Sequence, residues 1–438
     1  MNSTMRKTGL MMVLVLVFLL QSVVVSAATQ IVVWHQEQPP NRVERFEEIA
    51  EAFNAQNPDI QVTVQVQDWN FVYQKLAAAA SAGLQPDVIF VIPDFTTTVR
   101  NLNLGQPVTD LVEELHASNQ FIQAALDPYF SEDEFWAVPL YGMEQVLWYR
   151  KDIFNEAGIA GPPRTWEELV EIARTLTTED RYGIAVPAGR NLASDQVIYS
   201  LMVTSGAKDL FDENGNVTFY SPETVRAFEL YGQLLECSPP DATSYSWGEP
   251  QALFNSGRVA MAIEKGQYLL PFEDESGKSA SDLGMARLPL PSTGGEEGTI
   301  YYSNAAMILA EDPAKIEAAK EFLRFILNDP EVYGEFLTAE PGLFLPVTQT
   351  GLQSQTFWND PIVSKYRDIV EEIIAYSEYG ALFGFTSGNI RPEIGAISQQ
   401  NLLAQTVQQM VSGGMTAEEA VQWGQKKMEE AVAEYRSQ

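Results

Sequence analysis

Three short segments in the first part of the chain carry residues that could bind a polar small molecule. They are Trp34-His35-Gln36-Glu37, Gln67-Asp68-Trp69 and Pro93-Asp94-Phe95. Each places an aromatic ring close to a carboxylate or amide group. Sugars have apolar faces bordered by hydroxyl groups, so a sugar site needs both kinds of side chain.

Five side chains from these segments are predicted to contact a ligand: Trp34, His35, Glu37, Trp69 and Asp94. Each also has a structural alternative. A tryptophan can pack in the core, His35 can cap the turn after its strand, and Asp94 can cap the helix that follows Pro93. The sequence leaves these alternatives open.

The three segments lie where predicted strands end. Residues 31–34 and 87–92 are short apolar runs, and Ile60–Val66 alternates apolar with polar residues, as a half-buried strand does. Between them, residues 43–53 have apolar positions at helical spacing and residues 73–82 are rich in alanine. This order predicts an α/β fold with a parallel sheet wrapped by helices. Ligands bind beyond the carboxyl ends of such strands, so the segments should share one site.

The middle of the chain continues the alternation. Residues 146–149 and 182–186 are predicted strands, and Thr165-Trp166-Glu167-Glu168 opens a helix with a capping box. An amphipathic helix is predicted over residues 314–327. The segment Asp212-Glu213-Asn214-Gly215-Asn216 looks like a calcium loop, but its glycine is fourth instead of sixth. We therefore predict an Asn-Gly hairpin turn there.

Length and composition limit the class of protein. The 438 residues are 45% hydrophobic and 11% aromatic, which predicts a globular chain of two or three domains. A net charge of −32 repels nucleic acid and anionic membranes, so neither is an expected partner. Cys237 is the only cysteine, so no intrachain disulfide can form.

The N-terminus has the pattern of an export signal. Arg6 and Lys7 precede the apolar run 10–20, and small residues follow at 26–28. We predict that residues 1–28 are a cleaved signal peptide, with an uncleaved anchor as the alternative. The apolar run is shorter than the roughly 20 residues that cross a bilayer. No cysteine stands near the cleavage site, so a lipoprotein is not expected.

Residues of catalytic type do not form a recognisable pattern. His35 and His116 are the only histidines, and no phosphate-binding loop, HExxH or GxSxG motif occurs. No metal, cofactor or catalytic residue is therefore expected. A secreted glycoside hydrolase with paired carboxylates is the alternative of another class, but 59 acidic residues offer too many pairs to single one out.

Several longer segments, in order along the chain, resemble one known family. The segments are Trp136-Ala137-Val138-Pro139, residues 148–158, residues 162–169, residues 254–261 followed by Gly266, residues 319–326 and residues 413–420. Together they are similar to the extracellular solute-binding proteins of ABC importers, the family that includes the maltose- and glycerol-phosphate-binding proteins. A single segment would be weak evidence, whereas their common order is specific.

The resemblance implies a two-lobed periplasmic-binding-protein fold of type II, with the ligand in the cleft between the lobes. The first lobe would comprise residues 29–138 and 303–346, and the second residues 139–302 and 347–438. The chain would be an extracytoplasmic monomer that captures a carbohydrate and delivers it to an ABC permease in the membrane.

The second lobe and the crossings between lobes add further candidates for the cleft: Tyr141, Glu144, Trp247, Gln267, Tyr302, Asn304 and Arg391. Arg391 lies in residues 388–393, which resemble a cleft-facing loop of the glycerol-phosphate binders. It could clamp a phosphate or carboxylate, contact sugar hydroxyls or pair with Glu393. A phosphorylated polyol is therefore the alternative ligand. Three other tryptophans are expected to be structural: Trp136, Trp148 and Trp166.

Overall fold

A computed structural model of the chain describes residues 28–385 and 390–437. The predicted signal segment, apart from Ala28, lies outside the described residues, as do Gly388 and Asn389 of the Arg391 loop. Within the two described ranges, no helix is long and apolar enough to cross a membrane.

The strands are short and fall into two larger sheets and one hairpin. In chain order they are β1 (Thr29–His35), β2 (Ile60–Val66), β3 (Val88–Val91), β4 (Phe130–Ser131), β5 (Glu134–Phe135), β6 (Val138–Glu144), β7 (Val146–Arg150), β8 (Tyr182–Ala185), β9 (Val259–Glu264), β10 (Leu283–Ala286), β11 (Thr299–Ile308) and β12 (Gly380–Ala381).

The helices surround these sheets and dominate the C-terminal third. They are α1 (Pro40–Gln56), α2 (Val72–Ser81), α3 (Pro93–Asn101), α4 (Thr109–Asn119), α5 (Gln123–Leu126), α6 (Lys151–Glu156), α7 (Trp166–Leu176), α8 (Leu192–Ser205), α9 (Pro222–Glu236), α10 (Gly248–Asn255), α11 (Phe272–Ser276), α12 (Pro313–Asn328), α13 (Pro330–Leu337), α14 (Gln349–Leu352), α15 (Gln355–Asn359), α16 (Pro361–Lys365), α17 (Arg367–Tyr376), α18 (Ile394–Ser398), α19 (Leu402–Val411) and α20 (Ala417–Arg436).

The first sheet has the strand order β12-β11-β3-β1-β2, and β6 also pairs with β11. β1 is parallel to β2 and to β3, with Ile31 opposite Val62 and Val33 opposite Val88. β2 alternates as predicted, since Val62 is buried and Gln61 is exposed. The carboxyl ends of the first three strands therefore reach one edge of the sheet, which confirms the prediction made from the strand–helix pattern.

The second sheet has the strand order β10-β7-β9-β8. β7 is antiparallel to β9 and β10, whereas β8 is parallel to β9. Helix α8 packs among β11, α9 and α19, and almost all of its residues are buried. A helix that is enclosed in this way has no polar face, so its sequence carries no amphipathic pattern.

The chain passes from the first sheet to the second between β6 and β7, and it returns to the first sheet between β10 and β11. β6 belongs to the first sheet and β7 to the second, with only Gln145 between them. The backbone carbonyl of Gln145 accepts a hydrogen bond of 2.7 Å from the Thr299 hydroxyl at the start of β11, and its side-chain oxygen accepts one of 2.7 Å from Ser200. Residues 138–144 form β6 and pair with β11, so the change of sheet falls at Gln145. The lobe boundaries expected near residues 138–139 and 302–303 stay a prediction.

Two local predictions are confirmed in detail. At the start of α7 the Thr165 hydroxyl accepts from the Glu168 amide at 3.1 Å, and the Glu168 carboxylate accepts from the Thr165 amide at 3.3 Å. In the predicted turn the Asp212 carboxylate accepts from the backbone amide of Asn216 at 2.8 Å, and Gly215 has a φ of +79°. These bonds close a turn of the kind that the Asn-Gly pair predicts.

The three tryptophans that we predicted to be structural, Trp136, Trp148 and Trp166, do pack or hydrogen-bond within the protein. Trp148 and Trp166 are buried, and their indole nitrogens donate to the backbone carbonyls of Lys265 and Pro289, both at 2.8 Å. Trp136 is half-buried, and its ring centroid lies 3.5 Å from the guanidinium carbon of Arg100.

We call the part of the molecule built on the first sheet the first half and the part built on the second sheet the second half. Two glycines allow the backbones of these halves to touch. Gly266 follows β9 of the second sheet, and Gly342 lies three residues before Leu345, which pairs with β6 of the first sheet at Gly142. A Cβ atom at Gly266 would lie 1.8 Å from the carbonyl oxygen of Gly342. No side chain can fit there unless the two backbones separate.

We expect Gly266→Ala to lower the free energy of unfolding by about 1–3 kcal/mol, because the methyl group forces two backbone segments apart. Chemical denaturation of the purified variant measures this. Gly161→Ala is the matched control, since a Cβ at Gly161 would have no atom within 4 Å. Equal unfolding midpoints for the two variants would contradict the close contact.

Glu144 is a buried carboxyl at the end of β6. It is 1% exposed, and neither of its carboxyl oxygens has a hydrogen-bond partner among the described residues. Burial raises its pKa well above the usual 4.5, although the positive charge of Arg287 opposes this. The native protein therefore holds a proton on Glu144 at a pH at which the unfolded chain has lost it.

This retained proton predicts a pH-dependent effect of Glu144→Gln. The native state of the original protein loses stability relative to the unfolded chain as pH rises above 4.5, by up to about 1.4 kcal/mol per pH unit from this group until its folded pKa is reached. The variant has no proton to lose, so its stability advantage should grow from pH 4.5 to pH 8 in thermal melts. Glu51→Gln, an exposed position on α1, controls for the lost charge. A constant difference between variant and original across this pH range would refute the assignment.

Candidate functional site

A cavity of about 390 Å³ lies between the two sheets, beyond the carboxyl ends of the first three strands. Both halves of the molecule line it, and its size is within the usual range for small-ligand sites. The lining residues are Gln36, Glu37, Gln38, Pro39, Arg42, Trp69, Ile92, Met143, Leu192, Gln196, Trp247, Gly248, Gln251, Lys265, Gln267, Tyr302, Asn304 and Leu343. We call this space the main cavity.

On the side of the first sheet, Glu37 is held in a network of charged groups. Its carboxylate accepts from Arg42 at 2.6 Å and from the Tyr141 hydroxyl at 2.8 Å. Arg42 also donates to Glu340 at 2.9 Å. Burial opposes the charge of Arg42, but the carboxylates of Glu37 and Glu340 outweigh it and raise the Arg42 pKa. The guanidinium is therefore permanently charged and already neutralised by protein groups.

On the side of the second sheet, Lys265 follows the end of β9. Its ammonium group lies 3.2 Å from the Glu264 carboxylate and also donates to the Gln196 side-chain oxygen. The same oxygen of Gln196 accepts a hydrogen bond of 3.4 Å from the Trp247 indole, and the Lys265 ammonium is 5.9 Å from the centroid of a Trp247 ring. Lys265 thus fixes Gln196 and Trp247 on one wall.

Three aromatic residues line the main cavity, and one of them, Tyr302, also offers a hydroxyl group. Trp69, which follows β2, and Trp247, next to α10, are half-buried and come from opposite sides of the main cavity. Tyr302 lies on β11, where it is 5% exposed. Burial raises the pKa of Tyr302, and the nearby carboxylates of Asp94 and Asp195 raise it further. Its hydroxyl is therefore a neutral hydrogen-bonding group at physiological pH.

Two amide groups at the main cavity have unused hydrogen-bonding capacity. The side-chain oxygen of Gln267 and the side-chain nitrogen of Asn304 are both buried and have no partner in the described part of the chain. Buried polar atoms are nearly always paired in native proteins. One of these atoms is an acceptor and the other a donor, which suits a ligand hydroxyl group, since hydroxyls do both.

Half of the side chains predicted to bind ligand line the main cavity: Glu37, Trp69, Trp247, Gln267, Tyr302 and Asn304. The others do not line it: Trp34, His35, Asp94, Tyr141, Glu144 and Arg391.

Four of the residues that do not line the main cavity lie on β1 and β6, where they contact other protein groups or are buried. Trp34 donates to Gln65 at 3.1 Å. His35 is fully buried and stacks on Phe46 with centroids 4.4 Å apart; burial lowers its pKa to about 4, against the opposing effect of Glu37. Tyr141 does not line the main cavity, but its hydroxyl donates to Glu37, which does. Glu144 lies at the sheet crossing, as described above.

Asp94 and Arg391 also lie away from the main cavity. Asp94 borders a small neighbouring cavity with Asp195, and burial raises its pKa despite a hydrogen bond from Ser398 and from amides at the start of α3. Arg391 donates to the backbone carbonyls of Glu213, at 2.6 Å, and Asp212, at 3.4 Å. Arg391, for which the sequence left open a phosphate clamp, a contact with sugar hydroxyls or a pair with Glu393, therefore holds the loop at Asp212 and Glu213.

Several lining residues escaped prediction from the sequence, above all Arg42, Gln196 and Lys265. Lys265 had a usable signal, because it comes directly after a predictable apolar strand and only two residues before Gln267. Gln196 had none, since α8 is buried all round and gives no preferred face.

Comparison with known proteins places the chain in a family. Residues 39–332 match the model of the bacterial extracellular solute-binding proteins. The chain is 26% identical to the mannitol-binding protein of Pseudomonas aeruginosa over 310 residues, an alignment that covers 69% of this chain and 70% of that protein. It is 24% identical to the maltotriose-binding protein of Pyrococcus abyssi over 369 residues, and this alignment covers 82% of this chain and 76% of that protein.

The fold is also known from solved structures. It is similar, with a TM-score of 0.77 and 22% identity, to an ABC transporter solute-binding protein of Thermotoga lettingae bound with α-D-tagatose, over 92% of this chain and 100% of that one. This similarity confirms the predicted two-lobed α/β fold. Because the family match extends over well more than half of the sequence, the chain is a member of the bacterial extracellular solute-binding protein family.

Proposed function

We propose that this protein is the carbohydrate-binding component of an ABC importer and that it captures a neutral sugar or polyol. The observation that carries the proposal is the composition of the main cavity. Trp69 and Trp247 offer aromatic surface from opposite sides, and Gln267 and Asn304 offer an unpaired acceptor and an unpaired donor. Aromatic rings suit the apolar faces of a sugar, and amides suit its hydroxyl groups.

Charge favours a neutral ligand over the phosphorylated alternative. The cations that line the main cavity, Arg42 and Lys265, are each paired with a carboxylate. Arg391, the candidate for holding phosphate, is engaged with the loop at Asp212 and Glu213. An anionic ligand would have to compete with these carboxylates for the same cations. The mannitol, maltotriose and tagatose named for the similar proteins are uncharged polyhydroxylated molecules, which supports the same choice.

Binding without turnover is the second part of the proposal. Glycoside hydrolysis uses two carboxyl groups on either side of the scissile bond. Among the described residues that line the main cavity, Glu37 alone carries a carboxylate, and its oxygens are engaged by Arg42 and Tyr141. A bound oligosaccharide should therefore be recovered intact after prolonged incubation with the protein.

Export and delivery complete the proposed role. The predicted signal peptide would carry the chain out of the cytoplasm, in agreement with a family of extracellular proteins. We propose that the mature protein is a monomer, not lipid-anchored, and that it delivers its ligand to a membrane permease.

The first test is calorimetry against a panel of neutral carbohydrates and their phosphates. The panel contains mannitol, D-tagatose, xylose, glucose and the oligosaccharides of xylose and glucose. We expect at least one of these compounds to bind with micromolar or tighter affinity. Glycerol phosphate should not bind. Because no net charge is involved, raising the salt concentration should leave the affinity unchanged. Exclusive binding of phosphorylated compounds would overturn the proposal.

The second test separates stacking from packing. Trp69→Ala and Trp247→Ala should each weaken binding of the best ligand from that panel by about thirtyfold, which corresponds to about 2 kcal/mol of lost contact. The melting temperature of the ligand-free protein should change little, because both rings are only half-buried. Trp136→Ala is the matched control: it removes a half-buried ring elsewhere and should leave the affinity intact. A variant that loses stability but keeps its affinity would assign that tryptophan to the core.

A further inference from the structure

We infer that the ligand is an oligosaccharide of at least two units and that its second unit occupies a side cavity beside Trp69. The side cavity has a volume of about 290 Å³ and lies between α2 and the segment that joins α18 to α19. This inference rests on the proposed carbohydrate function and specifies the size of the ligand.

The side cavity adjoins the main cavity. Trp69 and Leu192 line both spaces. Leu192 is the first residue of α8, in the second half of the molecule, and Trp69 follows β2 in the first half. A ligand that extends past this pair of residues would therefore remain in contact with both halves and with the same tryptophan.

The lining of the side cavity is chemically distinct from the rest of the surface. No described residue that lines it is charged, although 20% of the chain is charged and the net charge is −32. Amide side chains predominate: Asn70, Gln74, Gln399, Gln400 and Asn401. Tyr73 adds a second aromatic ring beside Trp69. Amides and aromatic rings without charge form the same combination as in the main cavity, and they suit a neutral sugar better than an acidic one.

Most of these polar groups are available to a ligand. The side chains of Gln74, Gln399 and Asn401 make no hydrogen bond to any described residue, and neither does the indole nitrogen of Trp69. Gln400, in contrast, donates to the Ala396 carbonyl at 3.1 Å, which fixes its position. Each free amide carries donors and an acceptor, so adjacent hydroxyl groups of a pyranose ring could bond to one side chain.

A single sugar unit would leave these groups without a partner other than water. The main cavity already offers an aromatic surface on two sides and its own unpaired amides, which is sufficient for one unit. The side cavity contributes affinity only to a ligand that has a second unit. The protein should therefore distinguish an oligosaccharide from its monosaccharide.

Calorimetry with matched series tests this directly. The probes are glucose, maltose and maltotriose; glucose, cellobiose and cellotriose; xylose, xylobiose and xylotriose; and the single-unit compounds mannitol and D-tagatose. In at least one series we expect the disaccharide to bind at least tenfold more tightly than the monosaccharide. Mannitol or D-tagatose binding as tightly as the best oligosaccharide would overturn the inference while leaving the proposed function intact.

A double variant, Gln74→Ala with Gln399→Ala, tests the assigned residues. Both residues are exposed, so the variant should fold normally, which thermal melts would verify. The ratio of disaccharide to monosaccharide affinity should fall about tenfold. Gln56→Ala, an exposed glutamine at the end of α1, is the matched control and should leave this ratio unchanged. An unchanged ratio in the folded double variant would refute the side cavity as a sugar site. Failure of the original protein to bind any probe would instead refute the proposed function, and with it this inference.

Discussion

The pairing of β6 with β11 is the interaction on which the rest of the site depends. These strands run antiparallel from Tyr301 opposite Glu144 to Ala306 opposite Val138, beside the point where the chain leaves one sheet for the other. Side chains two residues apart on a strand share a face, so Tyr302 and Asn304 both reach the main cavity. The register shifts between Asn304 and Ala305, and such an irregularity re-aims the side chains next to it. This strand pair lies beside the crossing between the two sheets and carries two of the residues that line the main cavity, Tyr302 and Asn304.

Buried charges around the main cavity organise the site and leave other groups for the ligand. A charge removed from water is costly unless it is paired, and the Glu37–Arg42–Glu340 and Glu264–Lys265 groups satisfy this requirement within the protein. Their fixed positions then hold neutral groups in place: Lys265 holds Gln196, which in turn contacts Trp247. Although the chain has a net charge of −32, each cation at its ligand site is thereby paired with a carboxylate.

The division of the aromatic and amide groups between the two halves has a consequence for binding. A ligand that touches Trp69 and Asn304 on one side and Trp247 and Gln267 on the other gains its full contact energy only when the halves are close. Differential contact of this kind is the only means by which a ligand can favour one arrangement of two bodies over another. The backbone contact between Gly266 and Gly342 sets how closely the halves can approach in the described arrangement.

The sequence by itself determined that the first three strands are parallel, the edge at which ligand groups gather, and two residues of that edge, Glu37 and Trp69. Periodicity and chain direction suffice for this, because parallel strands joined by helices place their carboxyl ends together. Only the tertiary structure decided between His35 and Glu37, which lie at and just after the end of β1: packing against Phe46 buries His35, whereas hydrogen bonds from Arg42 and Tyr141 hold Glu37 at the main cavity. The tertiary structure also places Arg391 against the loop at Glu213, away from the main cavity, and it places Gln196 of the enclosed helix α8 at that cavity. Neither position could be predicted, because contacts between residues far apart in the chain leave no local pattern.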